Sequence, residues 1–180
     1  APCRLAGREV RRVGARLSGP GILLEPLDLD GRPPTVIVAP GRALGGPAGL
    51  LLTRVEYEKE AADRSFLVVD AAMNDLLRPA LYDAHHDVVE VAPRPDRRRV
   101  DVAGPVCETA DTLARDRELG ARAGDLLAVL DVGAYGMVMA SNYNARPRAA
   151  EVLVDAGAMH LVRERETPAM LFAGERRLPG

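Results

Sequence analysis

Lys59 is the only lysine among the 24 lysine and arginine residues of this 180-residue chain, so a covalent amine catalyst of the Schiff-base kind could be no other residue. It lies between Glu58 and Glu60, whose carboxylates stabilise the ammonium form and hold the amine protonated. Read by itself, the chain carries no credible Schiff-base lysine. The two cysteines, Cys3 and Cys107, are too few for a disulfide framework and lack the paired spacing of a zinc site. His85-His86 has no second cluster of His, Cys and carboxylate to complete a metal's coordination, and reads as structural at the start of a strand. Arg97-Arg98-Arg99, with Arg94 and Asp96 nearby, has the composition of an anion site, but a solvated hairpin tip between two strands is the plainer reading. Taken one at a time, Arg42 and Arg78 read as surface arginines, Cys107 as a small buried hydrophobe and Tyr135 as a core aromatic with its hydroxyl at the edge.

The elements that must position these residues change character along the chain. Residues 4 to 17 put Leu5, Val10, Val13 and Leu17 at roughly helical spacing among arginines, with two internal glycines that weaken the expected helix. Glycine and proline dominate from Ser18 to Pro34, interrupted by Ile22-Leu23-Leu24. Thr35-Val36-Ile37-Val38 then predicts a short buried strand that ends at Ala39-Pro40-Gly41-Arg42. Downstream the pattern turns to period two: Leu50 to Tyr57, Phe66 to Asp70, Asp87 to Ala92, Arg99 to Ala103, Leu126 to Asp131, Glu151 to Val154 and His160 to Arg163 all read as strands. Asp155-Ala156-Gly157 predicts a hairpin turn between the last two, and short helical turns are expected at Met73 to Leu77 and Thr109 to Leu119. Such a run of strands points to a mainly β, mostly antiparallel sandwich or barrel rather than to alternating β and α units.

Composition narrows the partners. At 47% hydrophobic and 28% charged the chain can bury a core. A net charge of -2 lacks the footprint needed to neutralise nucleic-acid phosphates. No apolar run approaches the roughly 18 residues of a membrane span, and the N-terminus lacks the order of a signal peptide. A cytoplasmic protein with no nucleic-acid or membrane partner is expected.

Four stretches, taken together and in order, carry a family resemblance. They are Pro40-Gly41-Arg42 followed by Leu52-Thr53-Arg54-Val55; Val69-Asp70-Ala71-Ala72-Met73-Asn74-Asp75-Leu76-Leu77-Arg78-Pro79-Ala80-Leu81-Tyr82; Gly104-Pro105-Val106-Cys107-Glu108-Thr109-Ala110-Asp111; and Gly133-Ala134-Tyr135-Gly136, then Met139-Ala140-Ser141-Asn142-Tyr143-Asn144 and Arg146-Pro147. From about residue 38 to residue 170 the chain resembles the diaminopimelate decarboxylases, fold type III pyridoxal-phosphate enzymes. The resemblance implies the C-terminal β-sandwich or barrel domain of the alanine-racemase-like decarboxylases over residues 44 to 180, preceded by a remnant of the α/β barrel and a junction over residues 1 to 43. It implies pyridoxal 5'-phosphate as cofactor, meso-diaminopimelate as substrate, L-lysine and CO2 as products, and a homodimer whose site is shared across the interface. By the same resemblance Arg42, Arg78 and Tyr82 would bind the distal carboxylate of the substrate and Glu108 its distal ammonium. Gly41 and Arg42 would lie near the cofactor phosphate, Tyr135 would contact the cofactor, and Cys107 would be the proton donor at the reacting carbon. Arg78, Tyr82, Cys107, Glu108 and Tyr135 are expected at one rim of the domain.

The sequence departs from the family pattern in two places. Ala39 stands where a glutamate would pair with the pyridine nitrogen, which weakens the electron sink. Ala72 stands where glycine is usual and would strain a turn that needs positive φ. With the Schiff-base lysine and most of the barrel not among these residues, the chain is expected to be a truncated form, inactive alone. Ornithine or arginine decarboxylases of the same fold are the enzyme alternative, although their substrates have no distal carboxylate. A non-catalytic dimerisation or regulatory fragment is the other.

Overall fold

A computed structural model describes residues 41–178 together with four short strands in the segment before them. The chain separates into two compact units, Ala1–Ala39 and Pro40–Gly180. In the first, β1 (Cys3–Leu5) pairs antiparallel with β2 (Arg8–Val10), and β3 (Arg16–Ser18) with β4 (Gly21–Leu23). These ladders replace the helix expected over residues 4 to 17. Gly7 and Gly14 each cost a helix about 1 kcal/mol relative to alanine, more than the weak apolar spacing offsets. The strand expected at Thr35 to Val38, and the Ala39 position beside Pro40, lie outside the described residues.

The second unit is built on one six-stranded sheet of β5 (Leu51–Glu60), β6 (Ser65–Val69), β7 (Val88–Glu90), β8 (Arg98–Ala103), β9 (Thr112–Leu119) and β10 (Leu126–Val129), in the order β7-β10-β5-β6-β8-β9. Its pairs are antiparallel except β6 with β8. A parallel pair needs a long crossover, and this one carries the helix α2 (Arg78–Tyr82) and β7. The sheet curls until its edge strands face each other. The Gly120 N–H donates to Glu90 Oε1 at 2.8 Å, and Arg117 donates to the His86 carbonyl at 3.1 Å. Bridging the edges in this way nearly closes a barrel-like sheet. Val55, Leu67, Val69, Val102, Leu127 and Val129 fill its interior and are fully buried. β6 has Leu67, Val68 and Val69 buried on both faces, as expected of a central strand.

Two expectations are corrected here. Thr112 to Leu119 is a strand, not a helical turn: Ala114 pairs with Val102 and Leu119 with Arg98. Asp116 has φ of +56° where the register shifts between Val100 and Val102, and a second shift, between Val102 and Ala103, falls where Leu113 and Ala114 are buried side by side; the two bulges erase the alternation that marks strands. Arg97 to Arg99 faces solvent as expected, with Arg97 and Arg99 exposed, but it is not the tip of a hairpin. β7 and β8 are not sheet neighbours, β8 begins at Arg98, and the three arginines are engaged at the surface. Arg97 donates to the Glu118 carbonyl, Arg98 pairs with Glu58, and Arg99 Nε meets Asp116 at 2.7 Å.

The helix α1 (Gly41–Gly45) precedes β5, and a hairpin of β11 (Glu151–Asp155) and β12 (Ala158–Arg163) follows the sheet. It turns at Ala156-Gly157 as expected, with Gly157 at φ of +84°. The short helix α3 (Pro168–Leu171) comes next.

Candidate active site

The Thr53 hydroxyl on β5 anchors the start of the segment that carries the site. It donates to Asp70 Oδ1 at 2.6 Å and accepts the Ala71 N–H at 3.0 Å. The chain then closes a turn in which the N–H groups of Asp75 and Leu76 both reach the Ala72 carbonyl. Ala72 is buried and is not among the non-glycine residues with positive φ, so this turn accepts alanine without backbone strain. Buried Asn74 links the segment to a distant loop: its amide donates to the Ser141 carbonyl at 3.3 Å, and its oxygen accepts Arg146 Nε at 2.9 Å. Arg146 also donates to the Asp70 carbonyl at 2.5 Å.

The helix α2 starts at once, with Pro79 in its first turn and Asp83 left-handed at its C-terminus, the start and stop that these residue types favour. Its single turn puts Arg78 and Tyr82 on one face, four residues apart. Arg78 is 8% exposed, not the surface arginine that its sequence context alone suggests. Its guanidinium lies over the Tyr135 ring, 5.5 Å from the centroid, a cation–π geometry. Its Nε is buried without a hydrogen-bond partner among the described residues.

Tyr135 reaches that position because its backbone is left-handed, φ +69°, a conformation that costs a bulky residue about 1–3 kcal/mol and persists where surrounding structure enforces it. The surrounding structure is a tight glycine contact. Gly133 N–H donates to the Gly46 carbonyl at 3.0 Å, and a Cβ on Gly133 would come 2.2 Å from the Gly45 carbonyl oxygen. Only glycine lets the loop that carries Tyr135 lie against the end of α1. This contact brings Arg42 to the site. Arg42, Arg78, Tyr82, Tyr135 and Met139 line an open groove of about 470 Å³. Tyr135 is half-exposed there rather than in the core. Met139 is the member that sequence reasoning did not single out.

Cys107 and Glu108 do not line this groove. They lie in the loop between β8 and β9, where Cys107 is exposed rather than buried and the Tyr143 hydroxyl donates to the Glu108 carboxylate. A larger open groove of about 670 Å³ lies on the other side of α2, between Pro79 and Ala80 and the strand β9; none of the site residues expected from the sequence lines it. Lys59 is exposed on β5. His86 is buried and its Nδ1 meets the Leu130 carbonyl at 2.9 Å, a structural role as expected. Among the described residues no group of His, Cys and carboxylates could hold a metal, and no helix is long and apolar enough to cross a membrane.

Comparison with known proteins assigns the domain. Residues 29–133 match the family described as pyridoxal-dependent decarboxylase, C-terminal sheet domain. The chain is 58% identical to a diaminopimelate decarboxylase of Pseudomonas aeruginosa over 176 residues, covering 97% of this chain and 40% of that protein. Among solved structures, the diaminopimelate decarboxylase from M. jannaschii superposes with a TM-score of 0.75 at 44% identity, over 77% of this chain and 32% of that one. The Helicobacter pylori enzyme complexed with L-lysine gives 0.69 at 41% identity, over 73% and 33%. The chain thus spans about a third to two fifths of the length of these relatives. It belongs to the pyridoxal-dependent decarboxylase family, through that family's C-terminal sheet domain.

Proposed function

We propose that this chain supplies the substrate-holding face of a pyridoxal-phosphate decarboxylase that converts meso-diaminopimelate to L-lysine and CO2 in the cytoplasm. The observation that carries the proposal is the buried guanidinium of Arg78, stacked on Tyr135 with an unpartnered Nε, in a groove that Arg42 also lines. A buried cation lacking a partner is costly unless an anion completes it, and the planar fork of arginine matches a carboxylate or a phosphate. These residues therefore fit an anionic cofactor and a dicarboxylate substrate. When bound, the cofactor supplies an electron sink for the charge that departing CO2 leaves behind.

In this reading Arg78 and Tyr82, together with Arg42, grip the distal carboxylate. Gly41 and Arg42 lie by the cofactor phosphate, and Tyr135 buttresses the cofactor while fixing the Arg78 guanidinium. Glu108 holds the distal ammonium, and the Cys107 Sγ carries the proton delivered to the reacting carbon. Cys107 and Glu108 sit outside their own chain's groove, which supports a homodimer in which each chain lends this loop to its partner's site. The neutral-to-acidic charge of the chain calls for no nucleic-acid partner.

The test replaces the sheet domain of the P. aeruginosa relative with residues 41 to 178 of this chain and measures CO2 release from labelled substrates. Turnover of meso-diaminopimelate with little from ornithine or arginine is expected. Preference for ornithine or arginine would overturn the substrate assignment, and a folded, cofactor-loaded chimera inert on all three would favour a non-catalytic domain.

A further inference from the structure

Asp111 is almost fully buried at the base of the Cys107–Glu108 loop. Its two carboxylate oxygens serve two different segments. Oδ1 accepts the N–H of Met73 at 2.6 Å, and Oδ2 accepts the N–H of Val106 at 2.7 Å. The main chain of Asp111 brackets the same loop: its N–H donates to the Glu108 carbonyl at 3.0 Å, and its carbonyl accepts the Gly104 N–H at 3.0 Å. Gly104 leaves the carboxylate its space, since a Cβ there would come 2.3 Å from Asp111 Oδ2. Met73 opens the turn that leads into α2, whereas Val106 immediately precedes Cys107. One carboxylate thus ties the loop bearing Cys107 and Glu108 to the segment bearing Arg78 and Tyr82.

No arginine or lysine is hydrogen-bonded to this carboxylate among the described residues, and burial raises its pKa above the ordinary aspartate range despite the two N–H donors. A buried carboxylate without a direct counter-ion is an expensive way to close a loop. Two convergent backbone donors, one from each functional segment, account for its use here: a carboxylate is the side chain that offers two acceptors and no donor.

We propose that Asp111 is a positioning residue that sets the reach and orientation of Glu108 and Cys107 relative to α2. The role in turnover rests on the decarboxylase reading above; the tie between the two segments does not. Asp111→Asn keeps the shape but turns one oxygen into an NH2 group that faces a backbone N–H, and it removes the charge that strengthens the bond at the other oxygen, so both donors are held more weakly. Gly104→Ala pushes the carboxylate away while leaving it charged.

In the full 180-residue chain, hydrogen exchange read by NMR should show the Val106 and Met73 amides both losing protection about tenfold in Asp111→Asn, as expected for loss of charge-assisted bonds. The amides of Val69 and Leu127 in the sheet should stay unchanged. Gly104→Ala should release the same two amides, and it decides the question if the asparagine variant does not fold. Release of only one amide, of neither, or of the sheet amides to the same degree would overturn the proposal.

In the chimera, the readout is the ratio of kcat/KM for meso-diaminopimelate to that for 2-aminopimelate, which lacks the distal ammonium. Mispositioning Glu108 should collapse this ratio at least tenfold, as Glu108→Gln also should, and Asp111→Glu should restore part of it. Equal loss on both substrates would mean simple destabilisation and would refute a positioning role. A chimera inert on diaminopimelate sinks the substrate assignment instead, and the exchange measurement still decides the tie made by Asp111.

Discussion

Replacing Arg78 with methionine should make the isolated chain more stable and the assembled enzyme nearly inactive. Methionine follows much the same path as the arginine stem and fills irregular space with a polarizable side chain. Three terms decide the sign. The buried Nε has no partner among the described residues, and leaving a buried donor unsatisfied costs about 1–3 kcal/mol. The guanidinium stack on Tyr135 at 5.5 Å returns about 0.5–1 kcal/mol, part of which a sulfur–aromatic contact replaces. The net is a gain of about 0.5–2 kcal/mol for Arg78→Met, or about 2–6 °C in Tm for a unit of this size. Urea denaturation of the full chain, followed by circular dichroism, measures it directly. In the chimera the same change should cost about 100-fold in kcat/KM for meso-diaminopimelate, the equivalent of about 3 kcal/mol of charge-assisted hydrogen bonding. A loss of more than about 1 kcal/mol in the isolated chain would refute the reasoning, because it would mean that the fold itself satisfies the guanidinium and holds nothing in reserve for a ligand.

Gly133→Ala should destabilise the chain by about 2 kcal/mol or displace α1 and Arg42 with it, since its Cβ would meet the Gly45 carbonyl at 2.2 Å; denaturation together with exchange at the Gly133 amide distinguishes the two. The 180-residue chain alone, supplied with pyridoxal phosphate, should release no CO2 above the cofactor-only background, because its single lysine, Lys59, is exposed on β5 away from the groove; turnover abolished by Lys59→Ala would contradict this. The Glu166 carboxyl is held down to about 2 by the Arg148 guanidinium first, then by the Arg148 N–H and Asn142. Its folded pKa lies below the ordinary 4.5, so its stabilisation is complete above that value and is lost as pH falls through about 2. Arg148→Gln should return the Glu166 titration toward 4.5, a shift that carboxyl-carbon NMR follows.

What the sequence makes legible tracks where local pattern and tertiary demand agree. β5, β6, β8 and β10 alternate or run apolar, and their ranges emerge from period-two reading because burial acts on the same residues that set the pattern. β9 defeats that reading for a physical reason. Its Leu-Ala-Arg-Asp-Arg-Glu-Leu core consists largely of helix formers, and the bulges at Leu113 and Asp116 remove the period-two signal, so only pairing with β8 makes it a strand. The site divides in the same way. Arg42, Arg78, Tyr82 and Tyr135 fall together because α2 and the Gly133 contact deliver them, and each lies in a motif that family resemblance already marks. Asp111, Asn74 and Arg146 lie within the same motifs, yet nothing in one sequence separates a residue that holds a loop from one that merely occupies it. Their roles are defined by N–H groups and carbonyls of residues 5 to 76 positions away. Backbone partners leave no trace in side-chain identity. A site read from sequence will therefore tend to list the groups that touch ligand and omit the carboxylates and amides that aim them, and in this domain the burial of Asp111 shows where one such group sits.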